Sequence, residues 1–127
     1  MPKNLTGLAP VFAVADLKSA IAWYAQSLGF SVAYISRDEG DESGESWNYA
    51  LLENGSVEMH LARQLAEDRT LCSPSNCYVF VSDIENLHAR LTAAEADVSD
   101  LQGMPWGSIE CWLHDPDGNR LVLSQRE

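Results

Sequence analysis

Apolar and polar positions divide the chain into strand-like and helix-like runs that occur in the same order twice. Val11-Phe12-Ala13-Val14 is an apolar run closed by Asp16, and Cys77-Tyr78-Val79-Phe80-Val81 is a second one closed by Asp83. Each aspartate stands where a helix N-cap is wanted, because its carboxylate can accept from the unpaired N–H groups of a first turn. After Asp16 the apolar positions Leu17, Ala20, Ile21, Tyr24 and Leu28 keep a helical period, and after Asp83 the residues Ile84, Leu87, His88 and Leu91 do the same. Gly29 supplies a left-handed C-cap to the first helix; the second ends less sharply, near Glu95-Ala96.

Each predicted helix is followed by short strand candidates. In the first half these are 30–35, 47–52 and 56–62, the last two joined through Glu53-Asn54-Gly55, where Asn-Gly signals a tight hairpin. In the second half they are a weak segment at 98–101, then 109–114 and 120–125, the last two joined by Asp115-Pro116-Asp117-Gly118-Asn119, turn chemistry at almost every position. The order β-α-β-β-β therefore occurs twice. One such half leaves a sheet face uncovered, so two halves must combine to shelter it. The predicted fold class is α+β: two βαβββ modules forming a curved mixed sheet around a cleft. The 127 residues form a single domain, with module one at about 7–63, a linker at about 64–75 and module two at about 76–125.

Val14-Ala15-Asp16-Leu17 followed by Ala22-Trp23-Tyr24 and Leu28-Gly29-Phe30, then Pro105-Trp106-Gly107 leading through Ile109–His114 into the Asp-Pro-Asp-Gly-Asn turn, resembles the glyoxalase/bleomycin-resistance/dioxygenase (vicinal oxygen chelate) superfamily. The resemblance spans nearly the whole chain. It implies paired βαβββ modules, usually dimeric, with a small molecule bound on the concave sheet face. In the enzymes it also implies a divalent metal held by His, Gln or Glu on the first and last strands of each module.

Those positions depart from the metal-binding pattern here. The first ligand position is Ala9, the third is Cys77 (Asn76 in a register one residue earlier), and the fourth is Val122; Glu58 alone matches. A catalytic divalent site normally needs three or more protein ligands, so the expectation is no metal and no cofactor. That leaves the metal-free, drug-binding branch typified by bleomycin-resistance proteins as the nearest match.

Strand alternation gives an independent view of the cleft. Ile109, Cys111 and Leu113 face the core while Glu110, Trp112 and His114 share the other side, joined across the hairpin by Arg120, Val122 and Ser124. On the earlier strand Glu58 and His60 share the side opposite Val57, Met59 and Leu61. Glu58, His60, Trp106, Glu110, Trp112 and His114 are therefore the expected ligand-binding residues, with apolar area for affinity and a few polar groups for orientation. Duller roles compete: Glu58 and His60 as a structural hydrogen bond, His114 as a turn-flanking residue, Trp106 and Trp112 as core plugs. Trp47 is read as packing at a dimer seam, His88 as a packed histidine, and Trp23 and Tyr24 as helix core. Cys111 is placed on the core face, and Cys77 on the cavity side.

Composition narrows the partners. A net charge of −11, from 19 acidic and 8 basic side chains, repels phosphate backbones and anionic membranes alike, so neither nucleic acid nor membrane is expected. Much of the excess lies in 37–45, read as a solubilising loop. Three cysteines without a Cys-x-x-Cys pair argue against a disulfide framework or thiolate zinc site and fit a cytoplasmic protein. No run approaches the ~18 apolar residues of a spanning helix.

The expected function is a homodimeric, metal-free protein that sequesters a small planar or cationic compound, as in drug or toxin resistance. The alternative is a metal-dependent lyase, isomerase or dioxygenase with atypical ligands among Glu58, His60, Glu110 and His114. A third reading is an enzyme without metal that uses Glu58 or His60 as its base. Whether the modules pair within one chain or swap between two stays open.

Overall fold

A computed structural model describes residues 4–37, 47–64 and 74–126. Most of the acidic stretch 37–45, Cys72 and most of the 64–75 connection lie outside the described residues. The elements are β1 (Val11–Val14), α1 (Leu17–Leu28), β2 (Ser31–Ser36), β3 (Tyr49–Asn54), β4 (Val57–Arg63), β5 (Asn76–Phe80), α2 (Ile84–Ala93), β6 (Asp97–Val98), β7 (Gln102–Gly103), β8 (Ile109–His114) and β9 (Arg120–Gln125). Mixed α+β architecture results: one sheet has the order β1-β4-β3-β2, the other β5-β9-β8-β6 with β7 also paired to β8. By compactness the chain divides into residues 1–11 with 16–63, and residues 12–15 with 64–127.

In the first unit the Asp16 carboxylate accepts from the Ser19 N–H at 3.2 Å, so α1 starts where its cap predicts. Those backbone and side-chain hydrogen bonds from Ser19 hold the Asp16 carboxyl below its usual range. The helix buries Leu17, Ala20 and Tyr24, and packs on β3 and β4, whose Ala50, Leu52, Met59 and Leu61 are buried in turn. A helix of 12 residues is marginal by itself. Burying each large apolar side chain contributes about 1.5–3 kcal/mol, so this shared face holds α1 in place.

Gly29 closes α1 at φ 74°, and the Asn54 amide donates to the Leu28 carbonyl at 2.9 Å. The hairpin turn sits one residue later than the Asn-Gly signal suggests. Asn54 pairs with Val57, leaving Gly55 (φ 60°) and Ser56 as the two central residues. Asn54 is thereby freed to cap the helix.

In the second unit β8 and β9 run antiparallel, β5 joins β9 in parallel, and α2 covers the face carrying Cys111, Leu113, Leu121 and Leu123. Asp83 caps α2 through the Asn86 N–H, and the Gln125 side chain accepts from Ile84 N–H at 2.8 Å. The end of α2 is sharper than its sequence suggests: Glu95 N–H donates to Thr92 O and Ala96 N–H to Leu91 O, with Glu95 at φ 60°. This is a Schellman closure with glutamate in the position that normally takes glycine.

The weak strand expected at 98–101 is two fragments, β6 and β7. Between them Ser99 N–H donates to Trp112 O, while Trp112 N–H donates to the Ser99 hydroxyl at 2.8 Å. A side chain replaces a ladder carbonyl there, and the strand breaks. The Asp-Pro-Asp-Gly-Asn turn is a brace as well as a connection. Buried Asn119 donates to Ala13 O and the Asp115 carboxylate, and accepts from Ser75 N–H; Asp117 accepts from Ala15 N–H. These bonds tie 12–15 to the second unit, while β1 also pairs in the sheet of β2 to β4.

Cys77 requires a correction. Its register partner is Leu121, so it lies on the core face, not the cavity side, and burial raises its thiol pKa. The one-residue ambiguity of an isolated apolar run decided that error, because a slip by one residue exchanges the faces.

Candidate functional site

Opposite α2, the second sheet carries Tyr78 and Phe80 from β5, Glu110 and Trp112 from β8, and Val122 and Ser124 from β9, aligned by their register. Glu110 is the organising residue. It is 1% exposed, yet it has no counter-cation among the described residues. Hydroxyls take that role: Ser108 and Ser124 each donate to Oε2 at 2.9 Å, and Tyr78 donates to Oε1 at 3.1 Å. Burial is the largest single influence on its carboxyl and opposes ionisation. Hydrogen bonds from Ser108, Ser124, Tyr78 and the Trp106 side chain together outweigh it and hold the pKa below its ordinary 4.5.

That buried anion holds Tyr78 and the Trp106 side chain. Tyr78 has its phenol pKa raised by desolvation, then by its bond to Glu110 and that group's charge, with Arg120 acting in the opposite sense. The 104–108 turn is closed by Met104 N–H to Ser108 O at 2.8 Å and Gly107 N–H to Met104 O at 2.9 Å, with Gly107 at φ 99°. Its apex, Trp106, is 68% exposed. Tyr78, Phe80 and Trp112 are also substantially exposed.

Two guanidinium groups lie on these rings: Arg120 Cζ is 4.5 Å from the Trp112 centroid and Arg126 Cζ 4.0 Å from that of Phe80. A groove of about 240 Å³ is lined by Trp106, Gly107, Ser108 and Arg126. A second, of about 260 Å³, is lined by 99–102 and Trp112, where the broken strand leaves room.

The first unit holds a separate polar chain. His60 Nε2 lies 2.7 Å from Glu58 Oε2, and Nδ1 lies 2.6 Å from the Tyr49 hydroxyl. A carboxylate only accepts, which puts the imidazole proton on Nε2; in the neutral ring Nδ1 then accepts from Tyr49. Desolvation, and secondarily the Glu58 charge, raise the Tyr49 phenol pKa, so Tyr49 stays protonated at neutral pH. The register explains the assembly, since Leu51 opposite His60 and Glu53 opposite Glu58 share this face with Tyr49.

The sequence profile of the Glyoxalase/Bleomycin resistance protein/Dioxygenase superfamily matches residues 8–123. The chain belongs to this superfamily. Its fold is similar to that of a bleomycin resistance determinant encoded on the transposon Tn5 (TM-score 0.75, 21% identity, covering 97% of this chain and 99% of that one). It is also similar to the copper(II)-bleomycin complex of a bleomycin-binding protein from Streptomyces verticillus (0.70, 24%, 100% of both). A lactoylglutathione lyase from Agrobacterium tumefaciens matches as well (0.73, 18%, 97% and 96%). At these identities the likeness is one of fold. No curated protein sequence matches the chain.

The metal implied by the superfamily's enzymes does not fit the residues present. Ala9 and Val122 offer no donor, Cys77 faces the core, and Glu58 already bonds His60. Among the described residues no three His, Cys, Asp or Glu side chains gather to hold an ion. No described helix is long and apolar enough to cross a membrane.

Of the expected site residues, Glu58 and His60 meet in the first unit, and Trp106, Glu110 and Trp112 share a face in the second. His114 follows on that face by alternation, opposite Arg120, with its Nδ1 3.8 Å from Asp97 at the β6 edge. Sequence reading missed Tyr49, Tyr78, Phe80 and Arg126. Alternation along β5 would have found Tyr78 and Phe80 once Cys77 was placed in the core. His88 bonds the Ser99 carbonyl at 2.8 Å, and Tyr24 is fully buried against Trp23 and Phe30.

Proposed function

We propose that this protein is a metal-free binder that sequesters a small planar compound on the aromatic face of its second unit. The observation that carries the reading is the buried, hydroxyl-held Glu110, which anchors exposed Tyr78 and braces the turn presenting Trp106. Exposed aromatic area fixed in advance loses little entropy when a ring stacks on it, and each such pairing adds about 0.5–1.5 kcal/mol beyond burial. Drug or toxin resistance by sequestration is the corresponding cellular role, in keeping with the similarly folded bleomycin resistance determinant and bleomycin-binding protein. We assign it to the cytoplasm as a homodimer, from its free cysteines and its family.

Isothermal titration against bleomycin-type glycopeptides and a panel of planar aromatics tests the reading, together with tryptophan emission. Heat and quenching that both disappear in Trp106→Ala are expected. No heat with any compound at high protein concentration refutes it.

A second reading rests on the Tyr49–His60–Glu58 chain: an acid–base enzyme in which the Tyr49 hydroxyl relays a proton between a substrate and His60 Nδ1, with Glu58 on Nε2 stabilising the imidazolium. Turnover of substrates bearing an acidic C–H, lost in His60→Ala while ligand binding at Trp106 persists, is its test. Stoichiometric zinc, nickel, manganese or iron in protein purified without chelator would instead favour the metal-dependent enzymes of the superfamily.

A further inference from the structure

We propose that the groove beside Trp106 selects a planar aromatic anion, with the ring on the Trp106 indole and the carboxylate on the Arg126 guanidinium. This rests on the reading of the second unit's aromatic face as a binding surface and adds the charge of its ligand. The net charge of −11 and the acidic residues in the sequence suggest the opposite sign. Local geometry reverses that expectation.

Glu110, whose carboxylate accepts from the groove-lining Ser108, is not available to a cation. It is 1% exposed and its oxygens already accept from Ser108, Ser124 and Tyr78. Any ammonium reaching it would have to displace these donors from a closed site. The group that is presented is Arg126. Its guanidinium lies over Phe80 at 4.0 Å, and it has no carboxylate partner among the described residues. With its Cζ over the Phe80 ring, the guanidinium keeps a planar fork of N–H donors that can match a carboxylate with two parallel bonds. Arg120, over Trp112, adds a second positive charge to the same sheet face. A cationic ring on Trp106 would instead sit beside the Arg126 guanidinium that lines the same groove, like charge against like.

Size fits a single ring. A cavity of about 150 Å³ takes benzene, so about 240 Å³ has room for one ring and a charged substituent. Exposed charges more than about 8 Å away act weakly, since they are screened beyond that range at physiological salt. One guanidinium in contact therefore outweighs a diffuse negative field in the bound state.

The test uses three probes of matched size on the intact protein: benzoate, benzyl alcohol and benzylammonium. The readout is the Trp106 indole N–H signal in 1H–15N spectra, assigned with Trp106→Phe. Ligands this small bind with dissociation constants on the order of millimolar. Benzoate should bind about tenfold more tightly than benzyl alcohol, the worth of a charge-assisted bond, and benzylammonium more weakly than either. In Arg126→Gln the preference for benzoate over benzyl alcohol should disappear.

If benzyl alcohol or benzylammonium shifts the Trp106 signal at least as tightly as benzoate, the anion inference falls and the binding surface stands. If none of the three shifts it, both fall. A benzoate preference that persists in Arg126→Gln overturns the assignment to Arg126.

Discussion

Removing the Glu110 charge tests whether the aromatic face is organised as described. In Glu110→Ala two buried hydroxyls, Ser108 and Ser124, lose their acceptor, while Tyr78 is exposed enough to turn to water. Each unsatisfied buried donor costs about 1–3 kcal/mol, and part is returned because a desolvated carboxylate is gone. A net loss of about 2–4 kcal/mol follows, within the 5–15 kcal/mol typical of a folded domain. Glu110→Gln keeps an acceptor oxygen toward both serines and a donor toward Tyr78, so it should cost about 1 kcal/mol, the difference between charge-assisted and neutral bonds.

The pH dependence separates this account from simple packing. The folded carboxyl titrates below its ordinary 4.5, so the unfolded chain binds the proton more readily. Its stabilisation is full above that ordinary value and is lost as pH falls through the folded value. Glutamine does not titrate, so the gap between wild type and Glu110→Gln should narrow as pH drops from 6 toward 3, whatever the other carboxylates do. Urea denaturation of both proteins across that range measures it. A gap that stays constant or widens refutes the ionised, hydroxyl-held state of Glu110.

Three further outcomes follow from particular residues. Glu95→Gly should raise the urea midpoint, stabilising by about 0.5–1 kcal/mol, because glycine relieves the left-handed backbone at φ 60°; unchanged or lower stability counts against strain at that closure. Asn119→Ala should cost about 3–4 kcal/mol in thermal or urea unfolding, since its amide bonds Ala13 O, Asp115 and Ser75 N–H inside the fold; a loss under about 1 kcal/mol would mean the turn is held by other contacts. Glu58→Gln should lower the Tyr49 phenol pKa only in part, as burial is the larger cause of its elevation; absorbance titration near the phenolate band reads this, with Tyr49→Phe identifying the signal.

Much of the fold was legible because its signals are local. Asp16 and Asp83 cap helices through bonds to residues three positions on, and Gly29 closes α1 by the one backbone state that favours glycine. The misread features depend on distant partners. Asn54 left the centre of its hairpin turn to cap a helix ending 26 residues earlier, and the end of α2 used Glu95 where no glycine marked it. The strand at 98–101 broke because the Ser99 hydroxyl answers the Trp112 N–H, a substitution no propensity encodes.

The candidate site shows the same division more sharply. Alternation correctly put Glu110 on the face away from α2, in register with Ser124, and so predicted a carboxylate open to a ligand. A period of two assigns a face, however, and says nothing about depth on that face. Depth came from Tyr78, 32 residues away, from Ser124, 14 away, and from the Trp106 turn, which together enclose the carboxylate. The consequence is an exchange of roles. The acidic residue becomes the support, and the groups left exposed on that face are aromatic rings, two of them with an arginine over them. A rule that ranks candidate residues by charge alone selects Glu110 for contact; one that asks which donors already surround it removes Glu110 and leads to the proposal for Trp106 and Arg126.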